Sequence, residues 1–209
     1  MYIPPTFRVD DAARLAAFVR RYSFATVVTF DGGAPFASHV PMLYHPDAGP
    51  HGTLVSHMAR GNPQWQHFTA GGEALVIFQG PHGYISPTWY RTEPAVPTWN
   101  YAVVHAYGTP AIFTEHERIV TLLRETVATY EASLEKPWSG ELPEDYRDKM
   151  IRGIVAFEIP VARLEGKFKL NQNRAAEDIE GVIEALLRSD DPDNQELARL
   201  MAEESNATG

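Results

Sequence analysis

A chain of 209 residues, 44% hydrophobic and 22% charged, has the composition of a globular protein with a substantial core, and no apolar run approaches the roughly 18 residues of a membrane span. The absence of cysteine excludes disulfides, iron–sulfur clusters, thiolate zinc sites and every cysteine-nucleophile mechanism. A formal charge of −9, from 18 Lys and Arg against 27 Asp and Glu, repels phosphate backbones unless basic residues gather on one face.

The start, MYIPPTFRVDD, places prolines and aspartates where a signal peptide would carry a basic stretch and an apolar core, so the cytoplasm is the expected compartment. Asp10 is positioned to cap a helix over 11–22, in which Leu15, Phe18, Val19 and Tyr22 form one apolar stripe. SFATVVTF (23–30), the Asp31-Gly32-Gly33 turn and APFASHVPMLYH (34–45) read as a hairpin, with Pro35 and Pro41 at an edge or bulge. After a polar loop, TLVSH (53–57) resumes the sheet and runs into Met58-Ala59-Arg60-Gly61-Asn62-Pro63, a glycine turn before the short helix PQWQHF. A guanidinium beside the exposed N–H groups of a helix start is a place for an anion.

EALVIFQG (73–80) and HGYIS (82–86) read as separate strands on either side of Pro81. Residues 86–98 hold Pro87, Pro94 and Pro97 among Trp89 and Tyr90, a stiff loop carrying flat side chains, before a period-2 strand from Trp99 to about Thr114. Such a loop can wall a planar ligand or a partner subunit, or simply fill the core. The longest helix is expected over 115–134, with Ile119, Leu122, Leu123 and Val127 on its apolar stripe, and EDYRDKMIRG forms a shorter one. IVAFEIPVARLEG (154–166) is a strand that Pro160 assigns to an edge or bulge, and KFKLNQNR follows as a basic, amide-rich segment. Two helices, 175–188 and 195–204, flank SDDPDN. About seven strands in antiparallel connections with helices inserted as blocks predict an α+β fold, a mainly antiparallel barrel with peripheral helices. We read residues 1–209 as a single domain with a helical extension from about 175.

The eight histidines form no H-x-x-x-H or H-E-x-x-H pair, which disfavours a metal. His39, His57 and His105 on predicted strands are ligand contacts or satisfied core groups, and both readings stay open. There is no G-x-S-x-G for serine hydrolysis and no G-x-G-x-x-G for a dinucleotide. A phosphate-bearing planar cofactor fits better. It needs cations and N–H donors at one end and an aromatic slot at the other, as supplied by Arg60 and Asn62, by Lys167 and Lys169 with Gln172 and Asn173, and by the Trp89–Tyr101 stretch.

SHMARGNPQW, VPTWNYAVVHAYG and KFKLNQN, in this order, resemble the PaiB family of FMN-binding negative transcriptional regulators across nearly the whole chain. The resemblance implies an FMN-binding split barrel, a homodimer, and FMN in a cleft at the subunit interface. It also implies that Arg60, with His57 and Asn62, meets the FMN phosphate, and that Ser38, His39, Val40 and Pro41 run along the isoalloxazine. Trp99 and Asn100, with Lys169, Gln172 and Asn173, are its ring, ribityl or phosphate contacts. The sequence departs from the family pattern at Asn171, where Ser is frequent, and at Gly61. Three functions follow: a flavin-binding regulator, whose direct contact with DNA the acidic balance weakens; an FMN-dependent oxidoreductase; and a haem-binding or haem-degrading split barrel, with His57 or His105 as axial ligand.

Overall fold

Asp11, one residue later than the pattern predicts, caps the first helix: its Oδ1 accepts the Arg14 N–H at 2.7 Å, and α1 runs Ala12–Arg21. Leu15, Phe18 and Val19 of the expected stripe are buried. The computed structural model describes the backbone of residues 1–208 and the side chains of residues 1–206. They divide into two compact units, one of Met1–Phe18, Phe78–His105 and the residues from Glu165 on, the other of Val19–Ile77 and Ala106–Leu164.

The strands are β1 Arg8–Val9, β2 Phe24–Phe30, β3 Pro35–Pro41, β4 Leu43–His45, β5 Thr53–Ala59, β6 Ala74–Ile85, β7 Thr98–Gly108, β8 Ala111–Phe113 and β9 Ile154–Lys169. The other helices are α2 Trp65–Phe68, α3 His116–Glu131, α4 Glu144–Ile151, α5 Ala176–Leu187 and α6 Pro192–Thr208. Among the described residues the strands form one antiparallel sheet with the path β3-β2-β6-β7-β9-β5-β4, onto which β1 and β8 add by pairing with β9. The path stays open, ending at β3 and β4.

The β2–β3 hairpin has the predicted place and register, from Phe24 opposite Pro41 to Phe30 opposite Pro35. Its turn is fixed by Gly32 at φ 96° and by the Gly33 N–H, which donates to Asp31 Oδ1 at 3.0 Å. The prolines further along behave differently from the sequence expectation. Pro81 does not divide β6, and it lies beyond the β2 ladder, which covers Leu75–Ile77. Pro110 does divide the strand expected from Trp99 to Thr114, giving β7 and β8. Pro160 lies in an interior strand, at the last pair of the β5–β9 ladder opposite Thr53, where a missing N–H costs one bond at most. KFK belongs to β9 itself.

In the second unit Leu54, Met58, Val76, Phe157 and Ile159 are buried, with Phe68 on α2 packed against Phe157 at 4.9 Å. A cluster of Leu43, Phe113, Ile119, Val120, Leu122, Ile151 and Ala156 seats α3 and α4. In the first unit, α5 and α6 contribute Val182, Leu186, Leu197 and Met201 to the core. Gly108 allows the closest backbone approach: a Cβ there would lie 2.3 Å from the Pro160 carbonyl oxygen. Gly108→Ala should therefore cost about 1–3 kcal/mol through overpacking and lower Tm by several degrees in a thermal melt followed by circular dichroism.

Candidate functional site

The turn after β5 is built by its own backbone and by three side chains. The Asn62 N–H closes the turn on Ala59 O at 2.9 Å, and the Arg60 N–H donates to Gly153 O at 2.8 Å. Asn62 Oδ1 accepts the Gln64 N–H at 3.0 Å, which fixes the amide, so Nδ2 points to Ser38 Oγ on β3 at 2.7 Å. Ser38 Oγ is thereby an acceptor, and its own hydroxyl hydrogen has no other partner among the described residues. β3 ends the sheet path, so its outer edge from Ser38 to Pro41 pairs with no strand among the described residues. His39 is exposed, with Nδ1 3.0 Å from Thr26 Oγ1 and its ring stacked on Phe24.

Arg60 has a structural role that sequence reasoning misses. Its Nε donates to Arg152 O at 2.9 Å and Nη2 to Ile154 O at 2.8 Å, which ties the turn after α4 to the end of β5. The guanidinium is exposed and held, and Nη1 has no partner among the described residues. Gln64 is also unanticipated: fully buried, its Nε2 faces Val27 O at 2.9 Å, Thr29 Oγ1 at 3.1 Å and Phe36 O at 3.1 Å, joining the start of α2 to both strands of the hairpin. His57 lines a cavity beside α3. Burial lowers its pKa, which favours the neutral imidazole.

In the first unit Trp99 is exposed, stacked on His82 and edge-on to Tyr84 at 6.1 Å. Lys169 Nζ donates to Thr98 Oγ1 at 2.7 Å and to Trp99 O at 2.5 Å. Burial, then the charge of Lys167, lowers the Lys169 pKa. Asn100 is fully buried, its Nδ2 on Met201 Sδ at 3.4 Å and its Oδ1 without a partner among the described residues. Gln172 uses both ends of its amide on the local backbone, accepting from Leu170 N at 2.8 Å and donating to Phe168 O at 2.6 Å, which stabilises the turn where Asn171 takes φ 68°. Asn173 is exposed. Ser38, Arg60 and Asn62 thus belong to one unit, where Asn62 meets Ser38, and Trp99, Lys169 and Asn173 belong to the other.

The aromatic loop after β6 is held by α5. The Asp178 carboxylate accepts the Arg91 N–H at 2.8 Å, the Thr92 N–H at 3.0 Å and the Thr92 hydroxyl at 2.6 Å. Above all the Thr92 hydroxyl, then the two backbone donors and Arg174, keep its pKa below the usual carboxylate range against the opposing effect of burial. A depressed folded pKa means that the contribution is complete above the unfolded value, about 3.9, and is lost as pH falls through the folded value. Melting temperatures of the wild type should accordingly fall more steeply below about pH 4 than those of Asp178→Asn. Gly181 completes the contact, since a Cβ there would sit 2.4 Å from Trp89 O.

An open antiparallel sheet with peripheral helices is the fold of the split-barrel class. The family described as a putative FMN-binding domain matches residues 1–163. The chain is 40% identical over 203 residues to the protease synthase and sporulation protein PAI 2 of Bacillus subtilis, covering 96% of each. It is 34% identical over 183 residues to the uncharacterized protein AN0679 of Emericella nidulans, covering 70% of this chain and 73% of that one. Two solved structures show the same fold. The flavocytochrome Anf3 from Azotobacter vinelandii has a TM-score of 0.64 at 14% identity, over 83% of this chain and 75% of that one. The FAD and heme binding protein from Mycobacterium smegmatis has a TM-score of 0.59 at 17% identity, over 83% and 78%. The chain belongs to the PaiB family of FMN-binding proteins, and its cofactor is FMN. No described helix is long and apolar enough to cross a membrane.

Proposed function

We propose that the protein is a cytoplasmic, homodimeric regulator in which FMN occupancy sets the state that a partner protein reads. The observation that carries this reading is the Ser38–Asn62 pair, with Arg60 two residues before Asn62 on the same turn. A hydroxyl with a free hydrogen, an amide locked in orientation and a guanidinium with an unused Nη1 form the donor set a phosphate needs. FMN, when bound, supplies a redox-active isoalloxazine. Arg60 and Ser38 bind the phosphate, and Asn62 orients the Ser38 hydroxyl toward it. The backbone of His39, Val40 and Pro41 serves the polar edge of the ring. The first unit, taken by itself, carries a separate candidate set for a flavin, Trp99, Lys169 and Asn173, with Asn100 and Gln172 shaping the backbone that presents them.

The Bacillus subtilis relative is named for protease synthase and sporulation, and a regulatory role here is in keeping with that name. A net charge of −9 opposes direct contact with DNA, so the regulatory signal passes through protein. Light scattering after size exclusion should give twice the chain mass, and FMN-loaded protein should leave a promoter fragment unshifted at moderate salt. A monomer with FMN bound would refute the dimer, and a sequence-specific shift would replace the protein partner with DNA.

A further inference from the structure

The second unit contains a cavity of about 1090 Å³ between α3, the 132–143 segment, α4 and the end of β5. It is slightly larger than the roughly 300–1,000 Å³ of most sites for small organic ligands. Val127 of α3, Trp138 and Leu142 of the connecting segment, Met150 of α4 and Ile154 supply apolar walls. The segment is strapped to α3 by the Trp138 N–H, which donates to Glu131 Oε2 at 2.8 Å, and by Gly140, which lies against Val127. Trp138 is 49% exposed, large for an indole that the backbone holds in place.

His57 also lines this space, half-buried and without a hydrogen-bond partner among the described residues. As a neutral imidazole it offers one donor and one acceptor. The charged side chains that line the cavity are Arg124 and Arg147 against Glu131 and Glu141, two of each sign, so its wall carries no net charge. Arg147 is engaged by Glu144 and Asp148. An apolar space with balanced charges and one neutral hydrogen-bonding ring disfavours an ion and accepts an uncharged ring with a single polar group.

We propose that this cavity is a second ligand site, separate from the FMN anchor at Ser38 and Asn62, and that it binds an uncharged aromatic molecule whose one hydroxyl or carbonyl oxygen pairs with His57. It gives the regulator a small-molecule input besides the flavin. The test is calorimetric titration of the FMN-loaded protein with 1-naphthol, and with 1-naphthoate as the charged analogue of the same shape. Saturable 1:1 binding of 1-naphthol is expected, with 1-naphthoate at least about tenfold weaker. Val127→Trp, which fills the cavity from the half-buried face of α3, should abolish 1-naphthol binding and leave FMN affinity unchanged. His57→Phe, which keeps a ring but removes both nitrogens, should weaken 1-naphthol binding about five- to tenfold. No binding of 1-naphthol, equal binding of the naphthoate, or undiminished binding to Val127→Trp would overturn the proposal. FMN titration of the same preparations keeps that outcome distinct from a failure of the flavin site.

Discussion

Replacing Arg60 with alanine is expected to weaken FMN binding by one to two powers of ten. A charge-assisted hydrogen bond to a phosphate contributes about 1.5–3 kcal/mol, and each 1.4 kcal/mol is a factor of ten in Kd. The side chain also holds the carbonyls of Arg152 and Ile154, so the variant loses some stability as well. These bonds are exposed and compete with water. Their loss should cost about 1 kcal/mol, or about 2–4 °C in Tm for a chain of this size. Arg60→Lys separates the two roles, because a lysine restores positive charge but cannot place two donors on two carbonyls while keeping a third nitrogen free. Fluorescence titration should show partial recovery of FMN affinity in Arg60→Lys, while the Tm stays at the alanine value. A full loss of FMN binding accompanied by a collapse in Tm would mean that Arg60 acts only as a structural tie.

Gln64→Ala should be the more destabilising change, at about 2–4 kcal/mol, because it opens a cavity and strands buried acceptors at once. Val27 O, Thr29 Oγ1 and Phe36 O all lie on the Gln64 amide nitrogen, and the first two of these contacts are buried. Tm should fall by on the order of 10 °C. FMN affinity should also drop several-fold, since α2 starts three residues after Asn62 and its anchorage sets the Asn62–Ser38 pair. Gln64→Glu is predicted to be worse still: it exchanges an N–H donor for a carboxylate oxygen facing two carbonyl oxygens. A glutamate variant as stable as wild type would contradict the hydrogen-bond assignment of this side chain.

Local chemistry was legible where the partner is close in sequence. Asp31-Gly32-Gly33 announces its hairpin because turn and strands are contiguous, and the 3.6-residue stripe of α1 is equally local. Prolines report a missing donor but not where a ladder ends. That is why Pro160 fell in an interior strand and Pro81 left β6 whole, while Pro110 did break its strand. The charge on Arg60 and the amide of Asn62 stood out as anion-binding features. The carbonyls that hold the guanidinium, though, come from residues about ninety positions later, beyond any local pattern. Gln64 could have been suspected as an amide at a helix start after Asn-Pro, but its burial depends on two strands folding over it. The Asp178 clamp on Arg91 and Thr92 was invisible, because an acidic residue in a first helical turn looks like ordinary dipole compensation. FMN itself was legible only through the three linked motifs, since no single one of them specifies a flavin.

The turn that follows β5 is proposed to recognise FMN by its phosphate. Parallel fluorescence titrations of the purified protein with FMN and with riboflavin, which shares the ring and the ribityl chain but lacks the phosphate, measure that recognition directly. FMN is expected to bind at least about tenfold more tightly than riboflavin, the factor one charge-assisted contact provides. Equal affinity for the two flavins would contradict it.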